Sequence, residues 1–199
     1  MSEFGSSLRG SLGKALIRAA RFYTARTPVD KGKYRLMTAA MAFATEMPEP
    51  SIVRTKDGCL VRADLTTGMH TFVYFLGDYE PAISDICREL VMPGNVCIDV
   101  GANFGWYALL FHKLVGSTGS VYAFEPVPPT FEELNANWKL AGTPTNLMIN
   151  REALSDFTGE LTINTFPDMP SGHASASPRG RTDTTVYTCP TVTLDIYLR

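Results

Sequence analysis

Apolar residues recur at helical spacing at the start of the chain and at strand spacing after residue 50. At about 100° per residue, Leu8, Leu12, Leu16, Ala19 and Tyr23 share one face, with Lys14, Arg18 and Arg21 roughly opposite. The pattern predicts an amphipathic helix over 8–23. It ends before Thr27-Pro28, because a residue that precedes proline is pushed out of helical geometry. The apolar face is expected to pack on the rest of the chain and leave the basic face in water. A membrane-surface or partner-binding helix is the alternative that the same periodicity allows. A second helix is expected over 33–45, stopped by Met47-Pro48-Glu49-Pro50.

Beyond Ser51 the signals change. Residues 51–55 and 59–64 flank Asp57-Gly58 and predict a β-hairpin. The run Thr71-Phe-Val-Tyr-Phe-Leu76 is expected to add a strand to it. A helix over 82–91 places Ile83, Ile86, Cys87 and Leu90 on one side, and Pro93-Gly94 ends it. Val96-Cys-Ile-Asp-Val100 then reads as a parallel strand buried on both faces. Gly101-Ala-Asn-Phe-Gly105 follows, then an apolar helix over 106–115 and a second strand over 120–125. This β-turn-α-β unit sets a glycine turn at the carboxyl end of a strand, where open parallel sheets bind ligands.

The turn has specific physics. Gly101 reaches backbone angles denied to other residues and lets the chain pass close beneath a ligand. Gly105 lets the next helix pack tightly on the sheet. The helix start offers free N–H groups to a carboxylate or phosphate. Glu125, at the end of the next strand, sits where an acid accepts hydrogen bonds from ribose hydroxyls. Downstream, Pro128-Pro129 and the capping-box spacing Thr130-x-x-Glu133 open another helix. Phe131, Leu134, Trp138 and Ala141 are its expected buried stripe. A third parallel strand is expected near 146–151 and a hairpin strand over 159–164. The Ser/Gly/Thr-rich stretch 171–185 is expected to be a mobile loop, one that could cover a ligand.

Composition and charge narrow the classes. Net charge is −2, yet residues 1–35 hold eight basic side chains against Glu3 and Asp30, which leaves a +6 arm on a −8 body. A nucleic-acid-binding domain would be basic over its folded part, so no nucleic acid is expected. Four cysteines without a CxxC pair read as reduced thiols. His70, His112 and His173 have no metal-ligand spacing, so no metal is expected. Charges interrupt every candidate apolar run in the arm, which argues against a secretory signal and for a cytoplasmic address.

The choice of nucleotide turns on two residues. A dinucleotide fingerprint requires Gly-x-Gly-x-x-Gly, whereas Asn103 stands at the middle position here. Asp99 at the strand end would repel a pyrophosphate and attract the α-ammonium of a methionine moiety. S-adenosylmethionine is therefore favoured, and an NAD-dependent oxidoreductase is the weaker alternative.

Asp99-Val-Gly-Ala-Asn-Phe-Gly-Trp-Tyr107, Phe124-Glu-Pro126 and Ala153-Leu-Ser-Asp156 together resemble the FkbM family of S-adenosylmethionine-dependent methyltransferases. Gly77-Asp-Tyr-Glu-Pro81 and Val192-Thr-Leu-Asp195 extend the likeness over roughly residues 50–199. The resemblance implies an α/β, Rossmann-like class I methyltransferase fold and O-methylation of a small-molecule or carbohydrate hydroxyl. It implies that Asp99, Gly101, Asn103 and Gly105 line the methionine end, that Glu125 holds the ribose and that Ala102 and Pro126 also contact the cofactor. Ala153, Leu154 and Asp156 would approach the adenine, and Glu80 would neighbour the methyl donor. No catalytic residue is assigned by it.

The complete sheet of that class is larger than this chain provides. Only three parallel strands are expected, and the sequence stops at Asp195-Ile-Tyr-Leu-Arg199, where the family's next strand would begin. The expectation is an N-terminal arm over 1–45, carried by an incomplete methyltransferase domain over 46–199. An exposed sheet edge would invite self-association. A non-catalytic cofactor-binding or partner-binding fragment is the alternative function.

Overall fold

The computed structural model describes residues 3–27, 31–43 and 47–199. Two compact units make up the chain, Met1–Pro81 and Ala82–Arg199. The expected boundary at residue 45 lies outside the described residues. Compactness divides the chain later.

In the first unit, helix α1 spans Glu3–Arg26 and α2 spans Lys33–Phe43. The last two residues expected for the second helix, 44 and 45, lie outside the described residues. A hairpin of β1 (Ser51–Arg54) and β2 (Leu60–Ala63) follows, with Val53 opposite Val61 and Gly58 at φ 84° in its turn. Thr71–Leu76 is helical rather than a strand, as part of α3 (Gly68–Leu76). His70, Val73 and Tyr74 are buried at helical spacing, and Gly77 closes the helix in a left-handed C-cap at φ 64°.

The face that α1 buries also differs from expectation. Gly10, Gly13, Ile17, Ala20 and Thr24 are buried, whereas Leu12, Leu16 and Tyr23 are exposed by 61, 43 and 52%. The side chain of Leu8 lies outside the described residues. Small residues let helices approach closely, and α1 packs on both α2 and α3 through this narrow face. Thr24 Oγ1 donates to the Phe75 carbonyl at 2.6 Å, which ties α1 to α3.

The second unit opens with α4 (Pro81–Leu90), whose Ile83, Ile86 and Leu90 are exposed. Strands β3 (Val96–Val100), β4 (Ser120–Phe124) and β5 (Leu147–Asn150) form a parallel sheet in the order β3-β4-β5, with Asp99 opposite Ala123. Between them run α5 (Trp106–Val115) and α6 (Pro128–Leu140). This α/β, Rossmann-like arrangement matches the expected order. However, among the described residues β3 pairs with β4 alone, and Val96 and Val100 are exposed by 64 and 62% instead of buried.

Helix α6 starts at Pro128 with Val127 as its N-cap, so Thr130 lies inside the helix and the capping box does not form. Its buried positions are Thr130, Leu134 and Asn137, while Phe131, Trp138 and Ala141 are half-buried. A second sheet joins β6 (Ala153–Leu154), β7 (Gly159–Thr165) and β8 (Thr185–Val192) in the order β6-β8-β7. Helix α7 (Leu194–Tyr197) follows β8. Its Tyr197 ring packs edge-on against Phe124, and its hydroxyl donates to Asn150 Oδ1 at 3.0 Å.

Candidate functional site

The turn between β3 and α5 is left-handed at Gly101 (φ 77°), Asn103 (φ 52°) and Gly105 (φ 92°). A Cβ on Gly105 would meet Leu134 Cδ1 at 2.6 Å, so this glycine serves packing against α6 rather than against the sheet. The N–H groups of Gly101 and Ala102 both donate to the Phe124 carbonyl at 2.9 Å. Ala102 itself is buried. The turn is thereby held over the carboxyl end of β4.

Glu125 completes that hold. Its Oε2 accepts the Asn103 N–H and its Oε1 accepts the Val127 N–H, each at 2.9 Å. The residue is only 6% exposed, and burial raises its pKa against the lowering effect of the two N–H bonds. Sequence reasoning placed Glu125 at a ribose. The structure gives it a bracket between the glycine turn and the start of α6, with spare lone pairs on a carboxylate that can take about four hydrogen bonds.

Asp99 is the unusual member. Its Oδ2 is buried with no hydrogen-bond partner among the described residues. The carboxylate accepts the Ala108 N–H, one of the free donors in the first turn of α5. Burial pushes its pKa up to about 6, the Ala108 bond acts in the opposite direction, and the negative charge of Glu125 adds a further rise. A buried acceptor without a donor costs about 1–3 kcal/mol, more when charged. A cationic donor would relieve it.

A cavity of about 170 Å³ opens beside the turn, lined by Gly101, Asn103, Glu125 and Pro126 together with Leu161, Ile163 and Ser171. Ordinary ligand pockets run to roughly 300–1,000 Å³, so this one has room for part of a nucleoside cofactor. Leu161 and Ile163 alternate along β7, a period-two signal already visible in Gly159-Glu-Leu-Thr-Ile. The sequence placed Ser171 only at the start of a stretch expected to be a mobile loop. It lies in a short 3-10 turn, Ser171–His173, and its Oγ donates to Asn103 Oδ1 at 3.0 Å. Asn164 and Ser175 also form a β-bridge, so hydrogen bonds anchor the start of the segment expected to be a mobile loop.

Asp99, Ala102 and Gly105 belong to the strand end and the turn without lining this cavity. Ala153 and Leu154 pair with Thr191 and Val192 in the second sheet, and neither lines the cavity. Asp156 is exposed and accepts the Ser155 hydroxyl. Glu80 is exposed in the first unit, at φ 43°. His112 bonds Asn146 at 2.6 Å, and among the described residues no group of His, Cys, Asp and Glu could hold a metal.

The Methyltransferase FkbM domain family matches residues 99–199. Over 93 residues the chain is 37% identical to 31-O-demethyl-FK506 methyltransferase FkbM of Streptomyces tacrolimicus, which covers 44% of this chain and 34% of that protein. It is 28% identical over 102 residues to methyltransferase sdnD of Sordaria araneosa, covering 50% and 39% of the two. The chain thus spans between a third and two fifths of the curated relatives it matches. Among solved structures, a SAM-dependent O-methyltransferase of Thermotoga maritima is 20% identical, with a TM-score of 0.37 over 53% of this chain and 43% of that one.

Proposed function

The chain belongs to the FkbM methyltransferase domain family, and on that premise we propose that it binds S-adenosylmethionine and serves O-methylation of a small-molecule or carbohydrate hydroxyl. The observation that carries this reading is the unpartnered, buried Oδ2 of Asp99 two residues before the glycine turn. A pyrophosphate would be repelled there, whereas an α-ammonium would satisfy the orphaned oxygen. The residues present therefore fit a cofactor with a cationic amino-acid end better than NAD.

Asp99 would hold the ammonium, and the Gly101–Gly105 turn would admit the cofactor close to the backbone. Glu125 fixes that turn through Asn103 and has lone pairs left for a hydroxyl donor. Leu161 and Ile163 offer an apolar wall for a flat ring. When bound, the cofactor would supply an electrophilic methyl group carried on a positively charged sulfur. Among the described residues no side chain is assigned as a base. The protein's contribution in this reading is to orient the partners and exclude water.

Among the described residues no helix is long and apolar enough to cross a membrane, and all four cysteines are free. These observations support a cytoplasmic address as part of the proposal. The test is transfer of a labelled methyl group from S-adenosylmethionine to a panel of hydroxylated acceptors, with the product bond identified by mass spectrometry. An O-methyl product is expected. Methylation confined to nitrogen or carbon, or hydride transfer from NADH, would overturn the reading.

A further inference from the structure

Helix α1 turns its small residues inward and leaves its large apolar residues outside. Leu12, Leu16 and Tyr23 lie on one outward stripe with Ala15 and Ala19, and Phe22 at its margin is 63% exposed. Solvent-facing leucines at this spacing are unusual in a helix that already has a buried face. Beside the stripe lies a cleft of about 260 Å³ lined by Arg18, Arg21, Phe22, Ala25, Arg26 and Tyr74. The Arg21 guanidinium stands 4.6 Å from the centre of the Tyr74 ring, and that of Arg26 stands 4.0 Å from the centre of Phe22. Aromatic faces thus hold two of the three cations in place. No carboxylate lines the cleft among the described residues.

We propose that α1 lies on an anionic phospholipid surface, with the Leu12–Leu16–Tyr23 stripe at the acyl boundary and the Arg18–Arg21–Arg26 cleft on the head-group phosphates. An interfacial helix combines an apolar stripe with cationic side chains that reach the head groups, and here Arg26 flanks the stripe while Arg18 and Arg21 lie beyond it on the cleft side. Charge decides between the candidate occupants. The arm over 1–35 carries +6, so a second copy pairing arm to arm would set like charge against like. A lipid phosphate supplies the anions that the residues lining the cleft do not.

The experiment is co-sedimentation of the 199-residue chain with phosphatidylcholine vesicles, with and without phosphatidylglycerol, at low and high salt. Partitioning onto the anionic vesicles alone is expected, weakening by roughly tenfold or more as salt rises. The double variant Leu12→Glu/Leu16→Glu should abolish it, and Arg18→Glu/Arg26→Glu should weaken it by a similar factor. Should the glutamate pair prove unfolded by circular dichroism, Leu12→Ser/Leu16→Ser at the same exposed positions gives the same readout. Failure to bind anionic vesicles, equal binding to neutral ones, or retention by a folded leucine variant would overturn the proposal. So would lipid-free self-association that the leucine variants abolish, which would assign the stripe to a second copy.

Discussion

Ser171 Oγ donates a hydrogen bond to Asn103 Oδ1 at 3.0 Å, joining the segment after β7 to the glycine turn after β3. The same Asn103 oxygen accepts the Phe104 N–H at 2.8 Å, and the Asn103 N–H is held by Glu125. A non-glycine residue at φ 52° is uncommon and depends on such support. Removing the hydroxyl leaves Asn103 fixed from two sides instead of three. Ser171→Ala is therefore expected to weaken S-adenosylhomocysteine binding several-fold, by about 0.5–1.5 kcal/mol, with little change in Tm. Ser171→Thr should retain affinity. Calorimetric titration of both variants checks this, and equal affinity for Ser171→Ala would detach the segment from the site.

Glu125 carries a larger structural share. Glu125→Ala would leave the buried N–H groups of Asn103 and Val127 without their acceptor, at a cost of roughly 2–4 kcal/mol. Glu125→Gln restores one acceptor and sets an amide donor against the other N–H, so it should fall between wild type and Glu125→Ala. Urea denaturation measures both. A Glu125→Ala chain as stable as wild type would show that the bracket contributes nothing.

The β-α-β unit was legible because every level of its sequence agrees. The apolar run at Val96–Val100, the glycines of the turn and the largely apolar helix before Gly116 leave one arrangement, and α5 begins and ends where the pattern predicts. The face of α1 was not legible. Hydrophobicity alone favours burying Leu12 and Leu16, but close packing on α2 and α3 selects Gly10, Gly13 and Ala20. Thr71–Leu76 was misread because β-branched and aromatic residues dominate it, although His70, Val73 and Tyr74 already had helical spacing. At the site, Asp99 and the turn could be read from their order along the chain. Ser171 could not, because its hydrogen bond joins residues 68 positions apart. Glu125 was found for its position, while its bonds to the backbone depend on the turn's geometry.

Asp99 makes stability depend on pH in a definite direction. An ordinary aspartate has a pKa of 3.8, and this one is raised to about 6. The folded chain therefore keeps a proton that the unfolded chain has released between these values. Its contribution to stability falls as pH rises from about 4 through 6, by about 3 kcal/mol in all. Asp99→Asn should remove that slope, so the two proteins should differ least in acid and Asp99→Asn should be the more stable at pH 8. Urea midpoints across the range check it, and parallel pH profiles would contradict the burial of an unpaired charge.

The central claim is that Asp99 and the Gly101–Gly105 turn bind the amino-acid end of S-adenosylmethionine. Equilibrium titration of the 199-residue chain with S-adenosylhomocysteine, from acid to neutral pH, tests it most directly. The account predicts saturable binding in preference to NADH, tightening as pH rises through about 6 and losing that pH dependence in Asp99→Asn. Preference for NADH, or an affinity for S-adenosylhomocysteine that ignores both pH and Asp99→Asn, would contradict it.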